Sequence, residues 1–169
     1  MKNYDWAGCK VEVDEIATRD WYAQAEEWNC ECGHCRNFMA FTDRLPEELL
    51  TLLYQLEIPA KKAVDVCNLI SRKGDLLLYE IRYRLAGRIL KRNEEQHEEK
   101  GLLQKIYSFF RVQWPKKRES EYPDPWELIR CLDEPGMLCS LYPDAFPQPC
   151  FELCIQLWLP WVLDEPIDG

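Results

Sequence analysis

The sequence predicts an α+β domain in which an N-terminal helical segment packs on a mainly antiparallel β-sheet. Three observations carry that expectation. Apolar residues recur at helical spacing between Phe38 and Leu56. They alternate at period two from Leu77 to Leu85 and again from Phe151 to Leu159. The helical patterns fall mostly in residues 1–72 and the strand patterns mostly in residues 75–163, a segregation typical of α+β chains. A chain of 169 residues is the usual size of one domain, so residues 1–169 are read as a single unit.

The elements follow in order. Lys10 to Asp14 alternates as a short, half-buried strand does. Glu15 to Glu27, with Ile16, Trp21 and Tyr22, reads as a weak helix. Phe38, Phe41 and Leu45 imply a turn or two of helix starting near Cys35. Pro46 then opens a better helix, because proline suits the first helical position and the helix dipole favours Glu47 and Glu48 there. Leu49, Leu50, Leu53 and Leu56 supply its apolar stripe, read as a core face. After Pro59 a short helix is expected over Lys61 to Asn68.

Leu77, Tyr79, Ile81, Tyr83 and Leu85 define one face of a strand. Glu80, Arg82 and Arg84 fall on the other, expected to be wet. Lys91 to Lys100, which includes His97, reads as an exposed loop. Ile106 to Val112 resumes the alternation. Residues 125–133 are ambiguous. Asp124-Pro125-Trp126-Glu127 looks like a helix cap, whereas Leu128, Arg130 and Leu132 alternate like a strand.

The formal net charge of -9 argues against a general nucleic-acid binder, which needs a basic footprint on phosphate. It argues equally against an anionic membrane surface. The first residues lack the apolar run of an export signal, and no stretch reaches the roughly 20 apolar residues of a membrane span. Nine cysteines, an odd number, fit a reducing compartment better than a disulfide framework. The expectation is therefore a cytoplasmic protein whose partner, where it has one, is another protein.

The distinctive chemistry is Cys30-Glu31-Cys32-Gly33-His34-Cys35. Three readings compete. The first is a metal site, most naturally zinc, for which thiolates are suited ligands and structural sites want four. Gly33 would ease the turn between Cys32 and Cys35. The fourth ligand would be His34, Cys9, Cys67 or a carboxylate. The second is thiol redox chemistry at Cys32 and Cys35, whose tetrapeptide Cys-Gly-His-Cys matches the active site of protein disulfide isomerases. Such sites normally sit in a βαβ setting, which the strand pattern here does not offer. The third is plain packing of thiols beside Trp28 and Phe38. Two lesser candidates are an aromatic-lined groove using Trp158 or Trp161, and an anion site made by Arg82, Arg84 and Arg88.

The pattern Trp28-x-Cys30-x-Cys32-x-x-Cys35-Arg36-Asn37-Phe38, then Leu45-Pro46, then Pro160-Trp161-Val162-Leu163, resembles a family of small uncharacterised bacterial proteins. The resemblance spans most of the chain. It implies a bacterial cytoplasmic setting and assigns no catalytic residue. The reading that best joins these observations is a non-enzymatic structural or interaction protein with a zinc-binding cysteine cluster. The alternatives are a thiol-disulfide redox protein and a small-ligand or peptide binder.

Overall fold

The computed structural model describes residues 1–6, 8–26, 30–92, 126–133 and 146–167. It is α+β, with helices α1 (Glu15–Gln24), α2 (Gly33–Phe41) and α3 (Glu47–Gln55) packed on an antiparallel sheet. Among the described residues the sheet has six strands. They are β1 (Lys2–Trp6), β2 (Cys9–Val13), β3 (Asp65–Lys73), β4 (Leu76–Arg92), β5 (Trp126–Leu132) and β6 (Cys150–Pro160). No described helix is long and apolar enough to cross a membrane. The expected strand at Ile106 to Val112, along with Trp28, His97 and Cys139, lies outside the described residues.

The long strand β4 is the spine. Along one edge it pairs with β6, from Leu76 opposite Pro160 to Ala86 opposite Cys150, and β5 adds to the far side of β6. The other edge is shared. β3 covers Leu76 to Arg82, and β2 covers Gly87 to Arg92. Between them the ladder is interrupted, and α1 fills the gap. The Tyr22 hydroxyl donates to the Arg84 carbonyl at 3.1 Å and accepts from the Arg84 N–H at 3.0 Å. The Ala86 N–H donates to Thr18 Oγ1 at 3.0 Å, and the Ala86 carbonyl accepts from the Asp14 N–H at 2.8 Å. Every buried backbone group needs a partner, and here two side-chain hydroxyls replace a missing strand. Asp14 also caps α1, its carboxylate accepting from the Ala17 N–H at 3.0 Å.

Gly87 marks where the partner of β4 changes. Its φ is 141°, and a Cβ there would sit 2.0 Å from the Glu12 carbonyl oxygen. Only glycine lets β2 approach β4 this closely.

The helices cover the face formed by Tyr79, Ile81, Tyr83 and Leu85, all fully buried with Leu153, Ile155 and Leu157 of β6. From α3, Leu49, Leu52 and Leu53 point into this core, with Leu56 just beyond, while Leu50 is half-buried.

Four expectations need correction. Strand β3 and a single 3-10 turn, Ala60–Lys62, stand where a helix over Lys61 to Asn68 was expected. Val64 and Val66 are buried two residues apart, and branched side chains at that spacing favour a strand once β4 offers a free edge. Residues 1–72 are therefore mixed, since β1, β2 and most of β3 fall within them. Of the loop expected over Lys91 to Lys100, Lys91 and Arg92 belong instead to β4, and residues 93–100 lie outside the described residues. The second face of β4 is not wet. Glu80 and Arg84 are buried, as is Glu152 opposite Arg84. Arg82 Nε lies 2.9 Å from Glu80, Arg84 Nε 3.0 Å from Glu152, and Gln156 Nε2 2.8 Å from Glu80. Burial works against the charge on Glu80, yet Gln156 and Arg82 together hold its carboxyl below the ordinary range. Arg82 and Arg84 are thus spent on neighbours, and Arg88 pairs with Glu12 at 3.0 Å, which argues against the anion site. Within the ambiguous segment 125–133, Trp126–Leu132 forms strand β5.

Candidate metal centre

The cluster is built by the start of α2. Cys32 is the N-cap residue, with extended backbone, and its Sγ accepts from the Cys35 N–H at 3.4 Å. In the first turn of a helix, cap and third residue lie on one side, so Cys-x-x-Cys brings Sγ atoms together. Gly33 is buried at the first helical position and is not in the left-handed region. The turn therefore uses its lack of a side chain rather than its conformational freedom. Cys30 folds back so that its Sγ lies 3.5 Å from that of Cys32. All three sulfur atoms lie within 4.8 Å of one another. For Zn–S bonds of about 2.3 Å, a tetrahedron requires sulfurs about 3.8 Å apart, so the thiols need shift little to bind one ion.

The three thiols are not equivalent. Cys32 is exposed, Cys30 half-buried and Cys35 buried. Burial pushes the Cys35 thiol well up, and hydrogen bonds with Cys32 and Cys30 push it further. Cys30 is held down, first by the Cys32 backbone N–H. Cys30 therefore gives up its proton more readily than Cys35. A cation held by the three would draw the proton off Cys35 as well, because metal binding releases thiol protons.

The next residues of α2 fasten the helix to the chain beyond β6. Asn37 is fully buried. Its Nδ2 donates to the Pro160 carbonyl at 3.0 Å and to the Tyr79 hydroxyl at 3.1 Å, and its Oδ1 accepts from the Val162 N–H at 2.7 Å. Arg36 forms an ion pair with Glu165. The His34 ring meets Trp161 edge to face, with centroids 5.6 Å apart, and its Nδ1 lies 3.1 Å from the Tyr79 hydroxyl. Trp161 Nε1 donates to the Glu165 carbonyl at 2.7 Å. Cys-Arg-Asn-Phe and Pro-Trp-Val-Leu, far apart in sequence, are thus two halves of one contact. Sequence reasoning missed this latch, although an asparagine among apolar helix positions was a signal that could have found it.

The fourth ligand is not supplied by the expected residues. His34 turns inward to Tyr79 and Trp161 instead of joining the sulfurs. Cys67 lies on β3 opposite Glu80, with its Sγ 3.5 Å from the Asn68 carbonyl. Cys9 begins β2, buried and opposite Arg92. Neither joins the three sulfur atoms. Among the described residues, Cys30, Cys32 and Cys35 alone converge. Trp158 and Trp161 are half-buried. An open cleft of about 350 Å³ beside Arg36 is lined by Leu163, Asp164 and Glu165, none of them aromatic.

No protein-family model matches the chain, and neither a curated protein nor a solved structure does.

Proposed function

We propose that this protein is a non-enzymatic structural or interaction protein whose Cys30, Cys32 and Cys35 hold a zinc ion. The observation that carries the reading is the mutual approach of three sulfur atoms at the N-terminus of α2. Burial and its neighbours keep the Cys35 thiol protonated, and a divalent cation at the centre is the simplest group that would let all three sulfurs serve as thiolates. A fourth ligand, water or a group outside the described residues, completes the tetrahedron. The ion ties Cys30 to the first turn of α2, and the latch at His34, Arg36 and Asn37 passes that constraint to the C-terminal segment. Free thiols of this kind suit a reducing cytoplasm. The acidic charge makes a protein partner a better fit than nucleic acid.

A second reading, thiol-disulfide exchange between Cys32 and Cys35, is favoured by one feature. An exposed cysteine at a helix N-cap is paired with a buried one that keeps its proton, an arrangement suited to attack followed by resolution. Against it stands the antiparallel sheet around α2.

One experiment separates the two. The reduced, metal-free protein is titrated with cobalt(II), and thiolate-to-cobalt charge-transfer absorption is followed. The zinc reading expects saturation at one equivalent, displacement by zinc, and weaker binding in each of Cys30→Ser, Cys32→Ser and Cys35→Ser. Absence of thiolate-cobalt absorption, together with a reversible Cys32–Cys35 disulfide, would overturn it in favour of redox chemistry.

A further inference from the structure

Solvent reaches the three residues of the cluster unequally. Cys32 is exposed, Cys30 half-buried and Cys35 buried. The sulfurs of Cys30 and Cys32 lie 3.5 Å apart. A disulfide bond is about 2.05 Å long, so these two need to close by only about 1.5 Å to form one. Cys32 Sγ also accepts from the Cys35 N–H at 3.4 Å and so caps α2. The next turn of that helix holds Pro160 and Val162 through Asn37 and Glu165 through Arg36. One exposed sulfur thus faces solvent, adjoins a second sulfur and caps the helix that grips the C-terminal segment.

We propose that the cluster is a redox-gated metal site, at which a hydroperoxide joins Cys32 to Cys30 as a disulfide and zinc is released. Such release presupposes that zinc is bound there, as proposed above. Oxidation begins at Cys32, the ligand that a peroxide in solvent meets first. Its thiolate attacks one peroxide oxygen. An S–O bond forms, the O–O bond breaks, and hydroxide or alkoxide leaves and takes a proton from solvent. The Cys30 thiolate, already beside it, then attacks the Cys32 sulfenic sulfur. The S–S bond forms, the S–O bond breaks, and the departing hydroxide takes a second proton as water. Two electrons pass from the two sulfurs to one peroxide. Thiolates, not disulfide sulfurs, are the metal ligands, so one of the three remains, and the ion dissociates as Cys35 takes up a proton. Oxidation also removes negative charge from the N-terminus of α2, where the helix dipole favours it. Both losses loosen the first turn of α2, and with it the latch to residues 160–165. A small-molecule thiol reduces the bond by exchange, after which zinc rebinds.

The test uses the full, unaltered chain, reduced, loaded with zinc and freed of excess metal. Hydrogen peroxide is added briefly in the presence of a chromophoric chelator, remaining thiols are alkylated, and peptides are mapped by mass spectrometry. Zinc release should rise severalfold over untreated protein. In the peptide that carries all three cysteines, alkylation should fall on Cys35 alone, with Cys30 and Cys32 together lighter by two hydrogens. Dithiothreitol, then dialysis, should restore both thiols and zinc binding. Zinc retained by the peroxide-treated protein overturns the proposal and leaves zinc binding itself standing. So does alkylation of Cys30 with Cys32 and Cys35 joined, or a loss of zinc that dithiothreitol does not reverse. A chain that takes up no metal in the cobalt titration would instead refute zinc binding, and the switch falls with it.

Discussion

Asp65 is buried, and its Oδ1 is the one buried side-chain oxygen without a hydrogen-bond partner among the described residues. Burial pushes its carboxyl up, against the opposing pull of Arg82 and of the Val66 N–H. An acid whose pKa is raised by folding favours the fold fully only below its unfolded value, near 3.9, and loses that contribution as pH rises through the folded value. At neutral pH Asp65 is therefore a cost. Asp65→Asn keeps the shape and removes the charge. It should be more stable than wild type at pH 7, by about 1 kcal/mol, the lower end of the cost of an unsatisfied buried acceptor. The gain should shrink toward zero as pH falls to the ordinary carboxylate range. Urea denaturation at several pH values reads this directly, and a less stable variant at pH 7 would show that the attraction to Arg82 outweighs burial. None of this was visible in the sequence, where Asp65 lay in an expected helix and Arg82 on an expected wet face. A period of two tells which side chains share a face, not how much water reaches it.

At the scale of elements, the joint between α1 and β4 distinguishes this sheet from a simple meander. Tyr22→Phe keeps the ring against Trp21, at 4.9 Å between centroids, and removes only the hydroxyl that serves both polar groups of Arg84. Leaving a buried N–H and a buried carbonyl unpaired should cost about 1–3 kcal/mol, measured as a lower denaturation midpoint with an unchanged slope. The Arg84 amide should also exchange faster. An unaltered midpoint would mean that water replaces the hydroxyl. The elements themselves were largely legible, because the alternation of Leu77 to Leu85 and the leucines after Pro46 are local signals. The joint was not, since the partner of Tyr22 is 62 residues away and nothing near Tyr22 announces it. Residues 125–133 were undecided for a related reason. Asp124-Pro125 suggests a cap, and only the ladder from Trp126 opposite Leu157 to Leu132 opposite Glu152 decides for a strand.

At the scale of the whole molecule, α2 links two distant parts of the chain. Its first turn carries the cysteine cluster, and its next turn grips residues 160–165. The spacing of Cys30, Cys32 and Cys35 made the cluster legible, whereas its link to the C-terminal segment depends on contacts more than 120 residues apart. Where one short helix bears both, order at either end favours order at the other, and the coupling must be reciprocal. Zinc bound at the cluster should tighten the latch, and loosening the latch should weaken zinc binding. The Val162 N–H reports the first effect, because it donates to Asn37 Oδ1 at 2.7 Å. Its hydrogen exchange should slow on adding zinc and accelerate with a chelator, while the fully buried centre of β4 changes little. Asn37→Ala reports the second. It removes the bonds to Pro160, Val162 and Tyr79, and should lower zinc affinity about 5- to 10-fold, a coupling of roughly 1 kcal/mol. Competition with a chromophoric chelator measures that affinity. If Asn37→Ala freed the Val162 amide yet bound zinc as tightly as wild type, cluster and latch would be separate devices that merely share a helix.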